Sequence, residues 1–394
     1  MAAPAGTADT EYGIFLPIGN GGWIISETAP HPEATYDYNK KAAVLADAHG
    51  FDFIMSMGKW RGYDGSTDHW GRTLESMTMM SGLAEATERV KVWATIHTNL
   101  FNPAIAAKMY TTLQEISDGR AGMNIVVGSY ADEFGQMGLW NEDLDHAARY
   151  RYTEEWTSLL ERLWTEDSVT HQGEFFTLDD CRSRPHPNPA PTLISAGRSD
   201  TGLEFQARHC DGSFLTAQDL PGLREASLDV KARARKQGRT IRTYSMLTVI
   251  MDETDAAAEE RRREYGRGAD VDAIVNMKRS WGLPLDKALS LTAENPEDEA
   301  FQTTFVTGSP DTVTRRIREI VEYAELDGLM LIFPDYHADL AEFGEKVMPR
   351  LRDAEADAAV AASAGAGAGA GSSTGADASG AASDTAPADG AGAR

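Results

Sequence analysis

The chain alternates between short runs of β-forming residues and longer stretches whose apolar residues recur at helical spacing. Eight β-rich runs can be counted, and most are followed by a helical stretch. Neighbouring parallel strands need a long crossover of this kind between them. The pattern therefore predicts an α/β fold with eight strands, a (β/α)8 TIM barrel. An open, doubly wound sheet is the alternative that the pattern leaves.

The predicted strands are residues 13–18, 51–57, 90–95, 121–127, 192–195, 212–215, 243–251 and 328–333. The predicted helices are residues 35–49, 73–87, 103–117, 149–164, 201–209 and 310–323, with a charged helix from Thr254. Gly50 suits the end of the first helix and Pro103 the first turn of the third, because these residues favour those backbone conformations.

The two ends of the chain differ in composition from the rest. We expect residues 1–10 to form a disordered leader. Residues 353–394 are rich in Ala, Gly, Ser, Asp and Thr. Such a segment buries too little apolar surface to offset its ordering entropy, so a disordered tail is predicted. The barrel then spans residues 11–352. Within it, the polar and irregular stretch 265–300 is predicted to be an insertion, either a lid or a mobile loop.

The bulk properties exclude some partners. A formal net charge of −24 argues against nucleic acid or an anionic membrane surface as the partner. Cys181 and Cys210 lack the spacing of a zinc site or a disulfide framework, so both are expected to be buried. The start of the chain lacks the features of a secretory signal, and no apolar run is long enough for a membrane span. A cytoplasmic location is expected.

Glycine-bearing polar segments follow several predicted strands. The carboxyl ends of the strands build the active site of a TIM barrel. The segments at those ends are residues 19–23 (GNGGW), 56–60 (SMGKW), 95–98 (TIHT), 128–130 (GSY) and 195–200 (SAGRSD). We therefore expect the functional residues among them.

One of these segments suggests a phosphate site. The turn Gly197-Arg198-Ser199 precedes a helix, and a helix N-terminus with a small turn binds phosphate readily. Arg149, near the start of another helix, could add a bidentate guanidinium. Ser199 could instead be only a helix cap, and Arg149 only half of a surface ion pair. Taken together they indicate a phosphorylated cofactor.

Other residues refine this hypothesis. Asn124 interrupts an apolar strand, and a buried amide needs hydrogen-bond partners. Lys59 lies in a loop at the functional face. His97 and His209 show no metal-binding spacing, so no metal is expected. There is no GxSxG nucleophile elbow and no dinucleotide fingerprint, so the chain has no evident nicotinamide site.

Several segments resemble the pyrimidine monooxygenase family. They are GIFLPIGNGGWIIS, FDFIMSMGKWRG, GRAGMNIVVG, EFGQMGLW, GEFFTLDDCRSRPHP, SAGRSDTG and FPDYHADLAEFGEKVMP. The resemblance covers roughly residues 12–352. Dimethyl sulfone monooxygenases are similar but match less well around Cys181 and Ser195. Both groups belong to the wider set of bacterial-luciferase-like enzymes.

The resemblance implies an FMN-dependent monooxygenase on a TIM barrel of the bacterial-luciferase type. It implies reduced FMN (FMNH2) delivered by a separate NAD(P)H:flavin reductase, and dioxygen as co-substrate. Thr95 and Asn124 match the pair beside the flavin where dioxygen reacts. The flavin contacts of the family fall on Gly58, Lys59, Asn124, Glu133, Arg149, Tyr150 and Ser199.

The substrate side departs from the family pattern. Ser129 stands where the family usually has Trp, and Ile96-His97 stands where it has small residues. Tyr130 and His97 are the candidates to refill the space, and Trp23 is a further candidate on that side. The expected reaction is the oxygenation and opening of a small cyclic amide or pyrimidine-like N-heterocycle. The alternatives are oxidation of a small sulfur compound, a deazaflavin-dependent oxidoreductase and a non-catalytic flavin-binding barrel. A homo-oligomer is expected.

Overall fold

The computed structural model describes residues 10–128, 130–353 and 355. Among these residues there are eleven strands. They are β1 (Glu11–Phe15), β2 (Phe53–Met55), β3 (Lys91–His97), β4 (Ala121–Val126), β5 (Val169–Gln172), β6 (Thr177–Cys181), β7 (Thr192–Ala196), β8 (Gly212–Leu215), β9 (Arg242–Met251), β10 (Phe305–Gly308) and β11 (Gly328–Ile332).

Helices connect and surround these strands. They are α1 (Tyr36–Ala48), α2 (Ser76–Glu85), α3 (Pro103–Ile116), α4 (Ala131–Gly135), α5 (His146–Thr165), α6 (Asp200–His209), α7 (Leu220–Lys236), α8 (Asp255–Arg267), α9 (Val271–Ser280), α10 (Leu285–Glu294), α11 (Pro296–Glu299), α12 (Pro310–Ala324) and α13 (Ala338–Lys346).

Eight parallel strands close into a barrel in the order β1-β2-β3-β4-β7-β8-β9-β11. Closure is complete because β11 pairs with β1 and β8 pairs with β9. β10 extends the sheet by pairing with the last residues of β9. The prediction of a TIM barrel is confirmed, and the open sheet is excluded. All eight predicted strands correspond to the barrel strands.

The sequence prediction missed several elements, among them the short helices α4 and α13. Helix α7 was missed because it is mostly polar, with few buried residues. The antiparallel hairpin of β5 and β6 lies outside the barrel and buries only Val169 and Leu178, so its alternation is weak. Strand β10 is four residues long. The prediction that both cysteines are buried was wrong for Cys181, which is half-buried at the end of this hairpin, whereas Cys210 is buried.

The stretch 265–300 is largely helical, although its polar sequence reads as irregular. It contains the end of α8 and all of α9, α10 and α11. Asp270 caps α9 by accepting from the backbone N–H of Ala273 at 3.1 Å. Buried Ala273, Ile274 and Met277 on one face of α9 join the main hydrophobic core. This stretch is thus packed against the barrel through α9.

A layer of aromatic rings fills the amino-terminal half of the barrel. Phe53 stacks on Trp93 with a centroid distance of 4.0 Å, and Tyr244 lies 5.6 Å from Phe53. The facing positions Gly13 and Gly122 give these rings room, because a Cβ there would lie 2.2 Å from Phe53 and 2.3 Å from Trp93.

The residues two positions further along these strands point the same way, since strand side chains alternate. They face a cavity rather than a packed layer, and they are Phe15, Met55, Thr95, Asn124, Met246 and Met330. The aromatic layer is therefore the floor of the functional site.

Candidate active site

A cavity of about 700 Å³ opens above the aromatic layer at the carboxyl ends of the strands. Most of the side chains predicted for the site lie on its wall. They are Trp23, Gly58, Lys59, Thr95, His97, Asn124, Tyr130, Arg149, Tyr150 and Ser199. Glu133 is not on the wall but lies behind Lys59. Ser129 lies outside the described residues.

Thr95 and Asn124 meet because they are register partners on the neighbouring strands β3 and β4. Asn124 Nδ2 donates to Thr95 Oγ1 at 2.9 Å, and that hydroxyl donates to the carbonyl oxygen of Ser56 at 2.5 Å. The backbone N–H of Thr95 donates to Ser76 Oγ at 2.8 Å. These bonds hold both side chains in one orientation.

The other end of the Asn124 amide has no partner. Its Oδ1 is buried and makes no hydrogen bond with any described residue. A buried acceptor without a donor is costly, about 1–3 kcal/mol. Because Asn124 lines the cavity, a ligand that carries an N–H can supply the missing donor.

Lys59 and Glu133 form a buried ion pair, with side-chain exposures of 5% and 2%. Lys59 Nζ lies 3.1 Å from Glu133 Oε2, and Glu133 Oε1 accepts from the backbone N–H of Trp60 at 2.5 Å. Burial lowers the pKa of Lys59, and Glu133 opposes that shift. Glu133 therefore holds the loop after β2 and places the Lys59 ammonium on the cavity wall.

Aromatic rings surround that ammonium. Lys59 Nζ lies 4.6 Å from the centroid of the Tyr63 ring and 5.0 Å from that of the Tyr130 ring. Cation–π contacts of this kind strengthen when they are desolvated. The contact between Lys59 and Tyr130 thus connects the loop after β2 with the segment after β4.

His97 occupies the space beside Gly58 at the end of β3. A Cβ at Gly58 would lie only 2.7 Å from His97 Cε1, so only glycine fits there. Burial, together with the charge of the nearby Lys59, lowers the pKa of His97 to about 4. The imidazole is therefore neutral at physiological pH and carries one donor and one acceptor nitrogen.

A small cradle lies at the other end of the cavity, where α6 begins. Ser199 caps α6 by accepting from the backbone N–H of Gly202 at 3.1 Å. Its hydroxyl proton stays available to a ligand. A Cβ at Gly202 would lie 2.6 Å from the Tyr150 hydroxyl, and one at Gly197 would lie 3.1 Å from it. The two glycines let the Tyr150 hydroxyl approach the turn before α6, and Tyr150, Gly197 and Ser199 line the cavity there.

Arg149 and Arg198 bring positive charge to this cradle. Arg149 Nη1 donates to the carbonyl oxygen of Leu144 at 2.7 Å, and its guanidinium lies 5.3 Å from the Trp140 ring centroid. No described acidic residue pairs with Arg149. A helix N-terminus, a hydroxyl and two guanidinium groups fit a phosphate.

The opposite end of the cavity is aromatic. Trp23 packs on Phe15 at a centroid distance of 3.9 Å and on Trp70 at 5.0 Å. Tyr63 and, from the end of α9, Trp281 complete this wall. The buried Trp23 Nε1 has no hydrogen-bond partner among the described residues.

Sequence reasoning identified Trp23 but missed the rest of this wall. Tyr63 and Trp70 lie beyond the glycine-rich part of the loop after β2, and Trp281 lies in the stretch that reads as irregular. Gln302, which follows the insertion, also lines the cavity and was missed. The segment GKWRGYDG between Gly58 and Gly65, dense in glycine and aromatic residues, was a signal that could have extended the prediction to Tyr63.

In residues 10–128, 130–353 and 355, no three His, Cys, Asp or Glu side chains are grouped closely enough to hold a metal ion. None of the helices in that part of the chain is both long enough and apolar enough to span a membrane.

The sequence was compared with known protein families and with curated proteins. The model of the luciferase-like monooxygenase family matches residues 10–327. Pyrimidine monooxygenase RutA of Acinetobacter baylyi is 37% identical over 347 residues, which cover 86% of this chain and 94% of the relative. Pyrimidine monooxygenase RutA of Caulobacter vibrioides is 36% identical over 350 residues, covering 87% and 98%.

Solved structures share the fold. Long-chain alkane monooxygenase LadA superposes with a TM-score of 0.78 at 20% identity, covering 88% of this chain and 92% of that one. DmoA from Hyphomicrobium sulfonivorans gives a TM-score of 0.75 at 19% identity, covering 88% of each chain. At these identities the structures support the fold alone, whereas the sequence relatives define the family. The chain belongs to the luciferase-like monooxygenase family and, within it, to the flavin-dependent pyrimidine monooxygenases.

Proposed function

We propose that the protein uses FMNH2, supplied by a separate NAD(P)H:flavin reductase, and O2 to oxygenate and open a pyrimidine-type cyclic amide. The observation that carries this proposal is the Asn124 side chain, which lines the cavity, bonds the Thr95 hydroxyl and has a buried carbonyl oxygen that lacks a donor. Reduced flavin has an N–H at the centre of its ring system and can fill that role.

The cradle at α6 supports a phosphorylated flavin. Gly197 and Gly202 let the Tyr150 hydroxyl come close to the start of α6, and this hydroxyl, Ser199, Arg149 and the helix N-terminus offer donors. From there the cavity runs past Asn124 and Thr95 to the aromatic wall. A flavin with a phosphorylated side chain fits this cavity, with its phosphate in the cradle and its flat ring system beside Asn124 and Thr95.

The reaction needs oxygen chemistry that amino-acid side chains do not provide. Bound reduced flavin would supply the two electrons that activate O2. With its proton donated to Ser56, the Thr95 hydroxyl fixes Asn124, whose second amide N–H is the donor left for negative charge developing on reduced oxygen. Fixed dipoles in a dry site stabilise such charge without reorganisation.

The aromatic wall would keep water away. Trp23, Trp70 and Tyr63 are buried, and Trp281 reaches the cavity from the insertion. Excluding water prevents loss of the reactive oxygen species as hydrogen peroxide. The insertion therefore belongs to the catalytic unit in this proposal, as a cover rather than a separate domain.

The substrate class follows from the pyrimidine monooxygenase relatives and from the polarity of the cavity. Its aromatic wall suits a small planar ring, and the neutral His97 offers one donor and one acceptor. We propose Trp23, His97, Ser129 and Tyr130 as the substrate side. Because the reductase would draw on NAD(P)H, we also propose that the reaction takes place in the cytoplasm.

The test is oxygen uptake by purified protein with FMN, a flavin reductase and NADH. Uracil and other cyclic amides should raise the rate of O2 consumption coupled to substrate loss, and the variant Thr98→Val should behave like the parent. Thr98 is buried at the end of β3, but it bonds Thr153 and does not line the cavity. Equal uptake with and without every pyrimidine and cyclic amide would refute the substrate class.

A further inference from the structure

Gln302 stands on the cavity wall across the barrel mouth from Thr95 and Asn124. It belongs to the segment that leads from α11 into β10. In the strand order of the barrel, β9 lies opposite β3. The segment is tied to β9 because the backbone N–H of Thr248 donates to the carbonyl oxygen of Thr304 at 2.9 Å. A ligand in the cavity therefore lies between Gln302 and the Thr95–Asn124 pair.

The backbone on both sides of Gln302 is fixed. On one side, the backbone N–H of Ile25 donates to the carbonyl oxygen of Ala300 at 2.9 Å, and Phe301 bridges to Ile24. On the other side, Thr303 Oγ1 lies 2.7 Å from Thr248 Oγ1. Gln302 is thus presented from a short, doubly anchored segment, although it lies outside regular secondary structure.

The Gln302 side chain is oriented by a buried imidazole. Gln302 Nε2 lies 3.0 Å from His69 Nε2. His69 is fully buried, and its ring stacks on Trp70 at 5.0 Å and on Tyr63 at 6.3 Å. Burial lowers the pKa of His69 to about 3, so the ring is neutral. A neutral imidazole accepts through one nitrogen, and the amide N–H of Gln302 is the donor that it meets.

This pairing has a consequence for the rest of the amide. With Nε2 directed to His69, Oε1 is left as an acceptor, and it has no hydrogen-bond partner among the described residues. The His69 Nδ1 atom is likewise buried without a partner, so nothing on the far side of the ring competes for its orientation.

We infer that Gln302 reads the substrate by accepting a hydrogen bond from a ring N–H, and that His69 is the positioning residue that turns the amide oxygen toward it. The substrate class is a cyclic amide or imide with an unsubstituted ring nitrogen. This inference rests on the proposed function and adds a specificity-determining residue to it. A site built to pair a substrate N–H discriminates strongly against a ligand that lacks it.

The test is equilibrium binding to the protein loaded with oxidised FMN, followed by the change in flavin absorbance. The ligands are uracil, 1-methyluracil and 3-methyluracil. Uracil carries both ring N–H groups, whereas each methylated ligand lacks the N–H at the methylated nitrogen. In the parent, methylation of one nitrogen should weaken binding by about tenfold or more, the value of one well-placed hydrogen bond. In Gln302→Met and in the smaller Gln302→Ala, that penalty should fall by about tenfold.

The same series tests His69 and the controls. His69→Phe keeps the aromatic stack but removes the acceptor nitrogen, so it should reduce the methylation penalty even where thermal stability is unchanged. Gln237→Met alters an exposed glutamine at the end of α7 and should leave the penalty intact. FMN affinity should be equal in all these variants.

Each outcome bears on a different claim. If the parent binds uracil but the Gln302 variants keep the full methylation penalty, the inference is wrong and the proposed function stands. If FMN affinity falls in the Gln302 variants while the penalty is kept, Gln302 contacts the cofactor and the inference is overturned. If the parent neither binds nor consumes any pyrimidine, the proposed function fails and the inference fails with it.

Discussion

Asn124 donates to the hydroxyl of Thr95 across 2.9 Å, from the directly paired position on the neighbouring barrel strand. The same hydroxyl donates to a backbone carbonyl, so the amide oxygen of Asn124 is the group left for a ligand. Two residues from different strands thus form one fixed, hydrogen-bonded pair in the cavity, and the proposed catalysis depends on this pair.

Replacing Thr95 with Val should impair oxygenation while leaving cofactor binding intact. The change keeps the side-chain shape but removes the hydroxyl that fixes Asn124. A misplacement of about 1 Å at a reacting centre can cost about 10²-fold in rate. Coupled product and hydrogen peroxide are measured together, and the peroxide fraction should rise. An unchanged ratio of product to peroxide in Thr95→Val would contradict the proposed role.

Gly202→Ala should weaken FMN binding far more than riboflavin binding. The added methyl group would lie 2.6 Å from the Tyr150 hydroxyl and fill the cradle proposed for the phosphate. We expect the dissociation constant of FMN to rise at least about tenfold, a cost of about 1.4 kcal/mol. Quenching of flavin fluorescence measures both ligands.

The matched control is Gly135→Ala on α4, where a Cβ meets nothing within 4 Å. It should bind both flavins like the parent. An equal loss of FMN and riboflavin affinity in Gly202→Ala would show that the cradle does not hold the phosphate.

Breaking the buried ion pair should destabilise the protein more than removing it. Glu133→Gln leaves the Lys59 ammonium buried without its counter-charge, which typically costs about 3–5 kcal/mol. The double variant Lys59→Met/Glu133→Gln removes both charges and should regain much of that loss. Urea unfolding measures the free energies of unfolding. A double variant no more stable than Glu133→Gln would argue that Lys59 is not charged in the folded state.

An exposed ion pair provides the comparison. Arg315 and Glu319 are paired on the surface of α12, with side-chain exposures of 56% and 48%. Glu319→Gln should change the free energy of unfolding far less than Glu133→Gln, because water screens exposed charges.

His97 should make stability depend on pH below neutrality. Burial lowers its pKa from 6.5 to about 4. The unfolded chain therefore binds the proton more readily between these two values. The stabilisation is fully present above about pH 6.5 and is lost as the pH falls toward 4, by about 1.4 kcal/mol per unit and roughly 3 kcal/mol in all.

The variant His97→Gln removes this group. Urea unfolding of the parent and the variant between pH 4 and 7 should therefore show a flatter pH dependence in His97→Gln. If both proteins lose stability in parallel over this range, the imidazole is not the group responsible.

Much of the fold could be predicted from local pattern. The eight barrel strands are apolar runs separated by helices, and that alternation predicts a parallel sheet with surrounding helices but leaves its closure open. The polar helix α7 and the hairpin of β5 and β6 escaped because they bury few residues, so their periodicity is weak. Helices α10 and α11 in the stretch 265–300 were similarly hidden, since they bury two residues and none respectively.

The candidate site was predictable where it lies directly at strand ends. Thr95, Asn124 and Lys59 follow from that placement, but Gln302 does not. Its position depends on how the loops after β1 and β2 pack against the segment before β10, and its orientation depends on His69, which is 233 residues away in sequence. Such long-range packing leaves no local signal.

Oxygen isotope labelling tests the proposed oxygenation and ring opening most directly. The protein is incubated with uracil, FMN, a flavin reductase and NADH under ¹⁸O2, and the ring-opened product is analysed by mass spectrometry. The proposed function predicts ¹⁸O in the product and a loss of uracil that matches the O2 consumed. The amount of labelled product should be sharply reduced in Thr95→Val. Ring opening with oxygen derived from water, or O2 consumption indifferent to uracil, would contradict it.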